Sequence, residues 1–130
     1  MKLRVLLADD DEALRDALRR VLEARGIDVV GIASNGTEVV QMARDIAADV
    51  VLTDLRMPLM DGIEVAKQIS ATGPPPIVII LSAYGDPSLQ EEARLAGASG
   101  WIQKGTRSRA LYDQIVALTS AYGTGAAETA

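Results

Sequence analysis

The chain has 130 residues, 48% of them apolar, with no cysteine, histidine or phenylalanine, and 13 basic against 18 acidic side chains for a net charge of −5. That length suits one domain with an aliphatic core. The missing residue types exclude disulfides, thiolate or imidazole metal sites, and a histidine base or phospho-carrier, while the acidic balance argues against non-specific binding of this chain alone to nucleic acid or anionic membrane.

Along the chain, β-branched runs alternate with stretches of helical spacing. The first run, Leu3 to Ala8, leads into Leu14, Leu18, Val21 and Leu22, one stripe of a helix that Gly26 is placed to stop. A second run, Val29 to Ala33, follows Asp28 and contains Gly31, which marks it as the edge strand. Val39, Val40, Ala43 and Ile46 predict a second helix, and Val50 to Thr53 a third strand. Ile63, Ala66, Lys67, Ile69 and Ser70 then predict a third helix, and Ile77 to Leu81 a fourth strand. Asp86 as N-cap and Pro87 at the first helical position open a fourth helix running to Ala96. Trp101 to Gln103 is the fifth strand, and Leu111, Ile115 and Leu118 share one face of a fifth helix over Ala110 to Ala121. Residues 1–122 are read as one domain, and GTGAAETA at 123–130 as a flexible tail or truncated linker.

The strands are continuous apolar runs, which predicts a parallel sheet covered by helices on both faces. Ile77 to Leu81, the longest aliphatic run, is far short of the roughly 20 residues of a membrane helix. No charged-then-apolar leader pattern is present, so a cytoplasmic location and no membrane partner are expected.

In open α/β sheets the ligands lie beyond the carboxyl ends of the strands. Asp9, Asp10, Asp11 and Glu12 follow the first strand, Asp54 the third, Ser82 and Ala83 the fourth, and Lys104 the fifth. Each alone has an ordinary explanation: Asp11 and Glu12 complement a helix dipole, Asp54 is a turn residue, Ser82 a cap, Lys104 solvated surface and Trp101 core. Their convergence on one rim favours chemistry instead. Crowded carboxylates suit a hard divalent cation such as Mg²⁺. Asp10 and Asp54 are the first ligand candidates, joined by Asp9 directly or through a water. With one hydroxyl and one ammonium, such a site can clamp a transferring phosphoryl group, with Asp54 as the nucleophile.

Four motifs then resemble a known family: LLADDDE at Leu6–Glu12, LTDLRMPLMDG at Leu52–Gly62, ILSAYG at Ile80–Gly85 and AGASGWIQK at Ala96–Lys104. They resemble the receiver domain of two-component response regulators, in their order and spacing, over residues 2 to about 121. The resemblance implies a flavodoxin-like, doubly wound five-stranded parallel sheet of order 2-1-3-4-5 with five helices. It implies Asp54 as phosphoacceptor, and Asp9, Asp10, Asp54 and the backbone carbonyl of Arg56 as Mg²⁺ ligands. Lys104 and Ser82 would be the catalytic side chains, and Ser82 and Trp101 the switch pair. The implied donor is a phosphohistidine on a sensor histidine kinase or phosphotransfer protein. The implied readout is a face made of the fourth helix, fifth strand and fifth helix, open to a partner or a second copy of the chain.

VVGIASNGTEVVQMA resembles receivers attached to helix-turn-helix transcription factors, so DNA would be bound only through an output domain outside this chain. The resemblance implies a receiver that is no enzyme toward other substrates and catalyses only its own phosphorylation and dephosphorylation.

The chain departs from the family at three places. Gly105 stands where proline, commonly after a cis bond, usually follows the lysine. A cis bond before glycine costs about 2.5–4 kcal/mol, so a trans bond or a reshaped loop is expected. Trp101 replaces a commoner tyrosine or phenylalanine. Arg56 and Tyr84 occupy positions that tune phosphoryl lifetime in the family. These departures keep open a degenerate, phosphorylation-independent interaction module. An aspartyl-phosphate phosphatase of the haloacid-dehalogenase type fits less well, because Arg56 stands where its second aspartate would be. A dinucleotide site lacks its G-x-G-x-x-G loop.

Overall fold

The computed structural model describes residues 2 to 121; the expected tail at 123–130 lies outside them. Five strands and five helices alternate: β1 (Arg4–Ala8), α1 (Glu12–Ala24), β2 (Asp28–Ala33), α2 (Gly36–Asp45), β3 (Val50–Asp54), α3 (Gly62–Ser70), β4 (Ile77–Ser82), α4 (Pro87–Leu95), β5 (Gly100–Gln103) and α5 (Ser108–Ala121). All pairings are parallel, and the order is β2-β1-β3-β4-β5, with β2 at the expected edge.

Alternation along each strand sends side chains to two separate cores. Val5, Leu7, Val50, Leu52, Ile79 and Leu81 meet Leu22 of α1 with Leu111 and Ile115 of α5. Leu6, Ala8, Val51, Val78 and Ile80 meet Val39 of α2, Val65 and Ile69 of α3, and Ala93 of α4. Every residue of β3 and β4 is buried, which is why those runs read as continuously apolar.

Local signals act where they are placed. Asp11, Asn35, Asp61 and Asp86 cap α1 to α4 by accepting backbone N–H bonds from their first turns. Gly26 ends α1 at φ 84°, where Ile27 N–H reaches back to the Leu22 carbonyl at 3.0 Å. The register of β1 on β2 slips between Val5 and Leu6, bringing Leu6 opposite Gly31. A Cβ on Gly31 would lie 2.7 Å from Leu6 Cδ2, so any larger residue there would push the Leu6 side chain aside in the core.

Boundaries differ from the sequence reading in ways that bear on the site. Asp54 and Ser82 are the last residues of β3 and β4 and do not lie in the loops beyond them. Both are held by ladder pairings, Asp54 to Leu81 and Ser82 to Gln103, so their backbones are fixed by the sheet. Helix α5 starts at Ser108, two residues before the expected Ala110.

Candidate phosphoacceptor site

The carboxyl ends of β1, β3 and β4 and the turn after β5 bring the predicted rim together. Asp9 is 1% exposed and Asp54 7% exposed, a degree of burial that carboxylates rarely show without partners. The Asp9 amide donates to the Ala33 carbonyl at 3.1 Å, and Asp9 Oδ1 accepts the Asp11 amide at 2.9 Å. Arg15 Nη1 donates to the Asp9 carbonyl at 3.1 Å, tying α1 to the acidic loop. This contact was not legible beforehand; the only sequence signal is a basic residue one helical turn past an acidic run.

Lys104 reaches both buried acids, with Nζ 3.0 Å from Asp54 Oδ1 and 3.5 Å from Asp9 Oδ2. Its own amide donates to the Ser82 carbonyl at 2.7 Å, which anchors the lysine to β4. Ser82 is buried, and its hydroxyl oxygen accepts the Tyr84 amide at 3.2 Å. Trp101 of β5 pairs with Ile80 of β4 and lies against the α4-side core, the face that Ser82, two residues on from Ile80, shares. Its indole N–H is buried without a hydrogen-bond partner. Arg56 is exposed at the start of the β3–α3 loop. That loop is pinned by Gly62, whose amide donates to the Leu55 carbonyl at 2.7 Å. A Cβ on Gly62 would lie 2.6 Å from the Asp54 carbonyl oxygen, so this close approach needs glycine.

The donor set fits a divalent cation. One carboxylate oxygen from each of Asp9, Asp10 and Asp54 lies within 4.8 Å of the others. Asp9 Oδ2 is buried and accepts no hydrogen bond, although an ammonium stands nearby. An all-oxygen set with exposed Asp10 at its open side suits Mg²⁺, which keeps several waters.

Electrostatics follow from this crowding. Burial, aided by the neighbouring Asp54 charge, raises the Asp9 pKa above the usual carboxylate value, against the Asp11 amide and Lys104, which lower it. For Lys104 burial works against the charged form, but the bond to Asp54 and the charges of Asp54 and Asp9 prevail, and its pKa is raised. A carboxyl whose folded pKa lies above its unfolded one favours folding below the unfolded value, and that contribution is lost as pH rises through the folded value. At neutral pH, above its unfolded value, Asp9 therefore costs stability without metal. Asp9→Asn should raise stability there by about 0.5–2 kcal/mol, as substitutions relieving a strained site commonly do. Metal-free thermal melts should show the gain at pH 7 and its disappearance near pH 4.

A family model described as the response regulator receiver domain matches residues 5–116. The chain belongs to that family. Its fold is the flavodoxin-like receiver fold, and its relatives include transcription regulators. It is 40% identical over 114 residues to the transcriptional regulatory protein LiaR of Bacillus subtilis (strain 168), covering 87% of this chain and 54% of that protein. It is 39% identical over 104 residues to the response regulator UvrY of Escherichia coli (strain K12), covering 79% of this chain and 48% of that protein. This receiver domain thus spans about half the length of the curated relatives it matches. Among solved structures, a LuxR-family two-component response regulator from Aurantimonas sp. SI85-9A1 aligns with a TM-score of 0.87 at 29% identity, covering 93% of this chain and 87% of that one. The isolated REC domain of RcsB from Salmonella enterica serovar Typhimurium, solved with the phosphomimetic BeF3−, aligns at 0.81 and 26% identity over 92% of this chain and 90% of that one. Receiver domains are signalling domains. Among the described residues no helix is long and apolar enough to cross a membrane.

Proposed function

We propose that this receiver domain, residues 1–122, is a Mg²⁺-dependent phosphoacceptor switch in which Asp54 takes a phosphoryl group from a sensor kinase or phosphotransfer protein. The observation that carries the reading is the Lys104 ammonium set 3.0 Å from Asp54 Oδ1, beside a buried, hydrogen-bond-free oxygen of Asp9. Asp9, Asp10, Asp54 and the backbone carbonyl of Arg56 would hold the cation, which supplies charge neutralisation at the transferring oxygens. An Asp54 oxygen forms the new P–O bond while the bond to the donor nitrogen breaks, its electron pair leaving with the donor. Lys104 balances the charge that builds on the phosphoryl oxygens, and the Ser82 hydroxyl donates to one of them.

An acyl phosphate adds roughly −1.5 to −2 charges to this rim. Turning the Ser82 hydroxyl toward it gives up the bond from the Tyr84 amide at the start of the β4–α4 loop, and Trp101 follows into the vacated space. The face of α4, β5 and α5 is then biased between two states. A cavity of about 350 Å³, lined by Pro87, Gln90, Arg94 and Trp101 among others, lies between α4 and β5 on that face. Moving such an equilibrium from 1:99 to 99:1 takes about 5.5 kcal/mol. A second copy of the chain, or an output domain following a linker at 123–130, is the proposed reader. Relatives called transcriptional regulators favour a DNA-binding output acting in the cytoplasm. The intact acid pair, acceptor, hydroxyl and lysine disfavour the phosphorylation-independent module.

Incubation with labelled acetyl phosphate tests the reading. The chain should take up label with Mg²⁺ and lose nearly all uptake in excess chelator. Equal labelling under both conditions would exclude the metal role of Asp9 and Asp10.

A further inference from the structure

Lys104, anchored to β4 through its amide, leads into a turn that a proline at position 105 could not form. Gln103 to Thr106 makes a tight reversal: the Thr106 amide donates to the Gln103 carbonyl at 3.3 Å, and the Thr106 hydroxyl donates to the same oxygen at 2.6 Å. Gly105, the third residue of that turn, sits at φ 88°, and the Lys104–Gly105 bond is trans, since the one cis bond among the described residues joins Pro75 and Pro76. Turns of this kind need a positive φ at the third position, whereas a proline ring fixes φ near about −65°. A Cβ on Gly105 would meet nothing within 4 Å. The requirement for glycine is therefore one of backbone torsion and not of space.

We infer that Gly105 is the positioning residue that sets Lys104 between Asp9 and Asp54, and thereby divides the site between cation binding and phosphoryl transfer. The inference rests on the phosphoacceptor reading above. In the present arrangement the ammonium lies against Asp54 Oδ1 and Asp9 Oδ2, oxygens of the same three-carboxylate cluster that a cation would use. Loosening the turn has two consequences of opposite sign. Those carboxylates are freed, so Mg²⁺ binds more tightly; the ammonium is withdrawn from the transferring group, so labelling slows. A substitution that merely damaged the fold would weaken both.

Gly105→Ala and Gly105→Asn separate these cases, read by calorimetric titration with Mg²⁺ and by initial labelling rates from acetyl phosphate at saturating Mg²⁺. Left-handed backbone costs an ordinary residue roughly 1–2 kcal/mol, a five- to thirtyfold factor, so the alanine variant should label at least about fivefold more slowly. It should also bind Mg²⁺ about twofold or more tighter. Asparagine, which adopts this conformation several-fold more readily, should restore both values toward those of glycine. Weaker Mg²⁺ binding in the alanine variant, unchanged values in both assays, or an asparagine variant no better than alanine overturns the proposal. A wild-type chain that takes no label overturns this proposal and the phosphoacceptor reading together. A labelled wild type with indistinguishable variants overturns this proposal alone.

Discussion

Asp54→Asn should leave a folded protein that takes up no phosphoryl group. The side chain is nearly isosteric, and its backbone is fixed by the ladder with Leu81 and by the Gly62 approach, so stability should change by no more than about 1 kcal/mol. An amide oxygen, however, is too weak a nucleophile to form an acyl phosphate. Removing a nucleophile commonly costs several orders of magnitude, so labelling should fall at least roughly 10³-fold. The measurement is uptake from labelled acetyl phosphate at saturating Mg²⁺, with a thermal melt beside it. Undiminished uptake would move the acceptor to another carboxylate.

Lys104→Ala should separate binding from chemistry. Its ammonium is the one cation ion-paired to Asp9 and Asp54 among the described residues, and its side chain is 25% exposed. Losing a preorganised charge on the transferring oxygens typically costs roughly 10²–10³-fold in rate, and labelling should fall by about that factor. Without metal, two buried carboxylates are left facing each other, and stability should drop by about 1–3 kcal/mol, less than for a fully buried pair. Mg²⁺ should restore more stability to the variant than to the wild type. Because the folded pKa of Lys104 is raised, its contribution is complete below the usual lysine value and lost as pH climbs through the higher folded one. Metal-free melts at alkaline pH should therefore converge for wild type and variant. Curves that stay parallel would deny the ion pairs their part in stability.

The parallel sheet, the edge position of β2 and the capping of α4 were legible because they rest on local chemistry: continuous apolar runs, Gly31 in a strand, and Asp86 before Pro87; the full strand order was implied only by the family resemblance. Gly26 likewise announced the end of α1. The rim residues were legible through topology, since parallel strands deliver whatever follows them to one edge. What the sequence withheld is side-chain reach. Nothing in the chain indicates that Lys104 spans Asp9 and Asp54, residues far away in sequence, or that Arg15 folds back to the Asp9 carbonyl. The caps Asn35 and Asp61 passed unread because small polar residues after strands are equally common in plain turns. Leu59 at φ 70° gives no warning at all: it is an exposed leucine in a conformation that leucine disfavours, in the loop after the acceptor strand. Gly105 was legible as a departure from the family. The trans bond and left-handed turn that accommodate it are backbone facts, visible only in the fold.

The phosphoryl group itself gives the most direct test. Borohydride reduces an aspartyl phosphate to homoserine, so peptide sequencing after treatment of the labelled protein reports where the acyl phosphate formed. Homoserine should appear at position 54 and only in Mg²⁺-treated samples. Homoserine at position 9, 10 or 61, or none in a protein that carries label, would contradict the site.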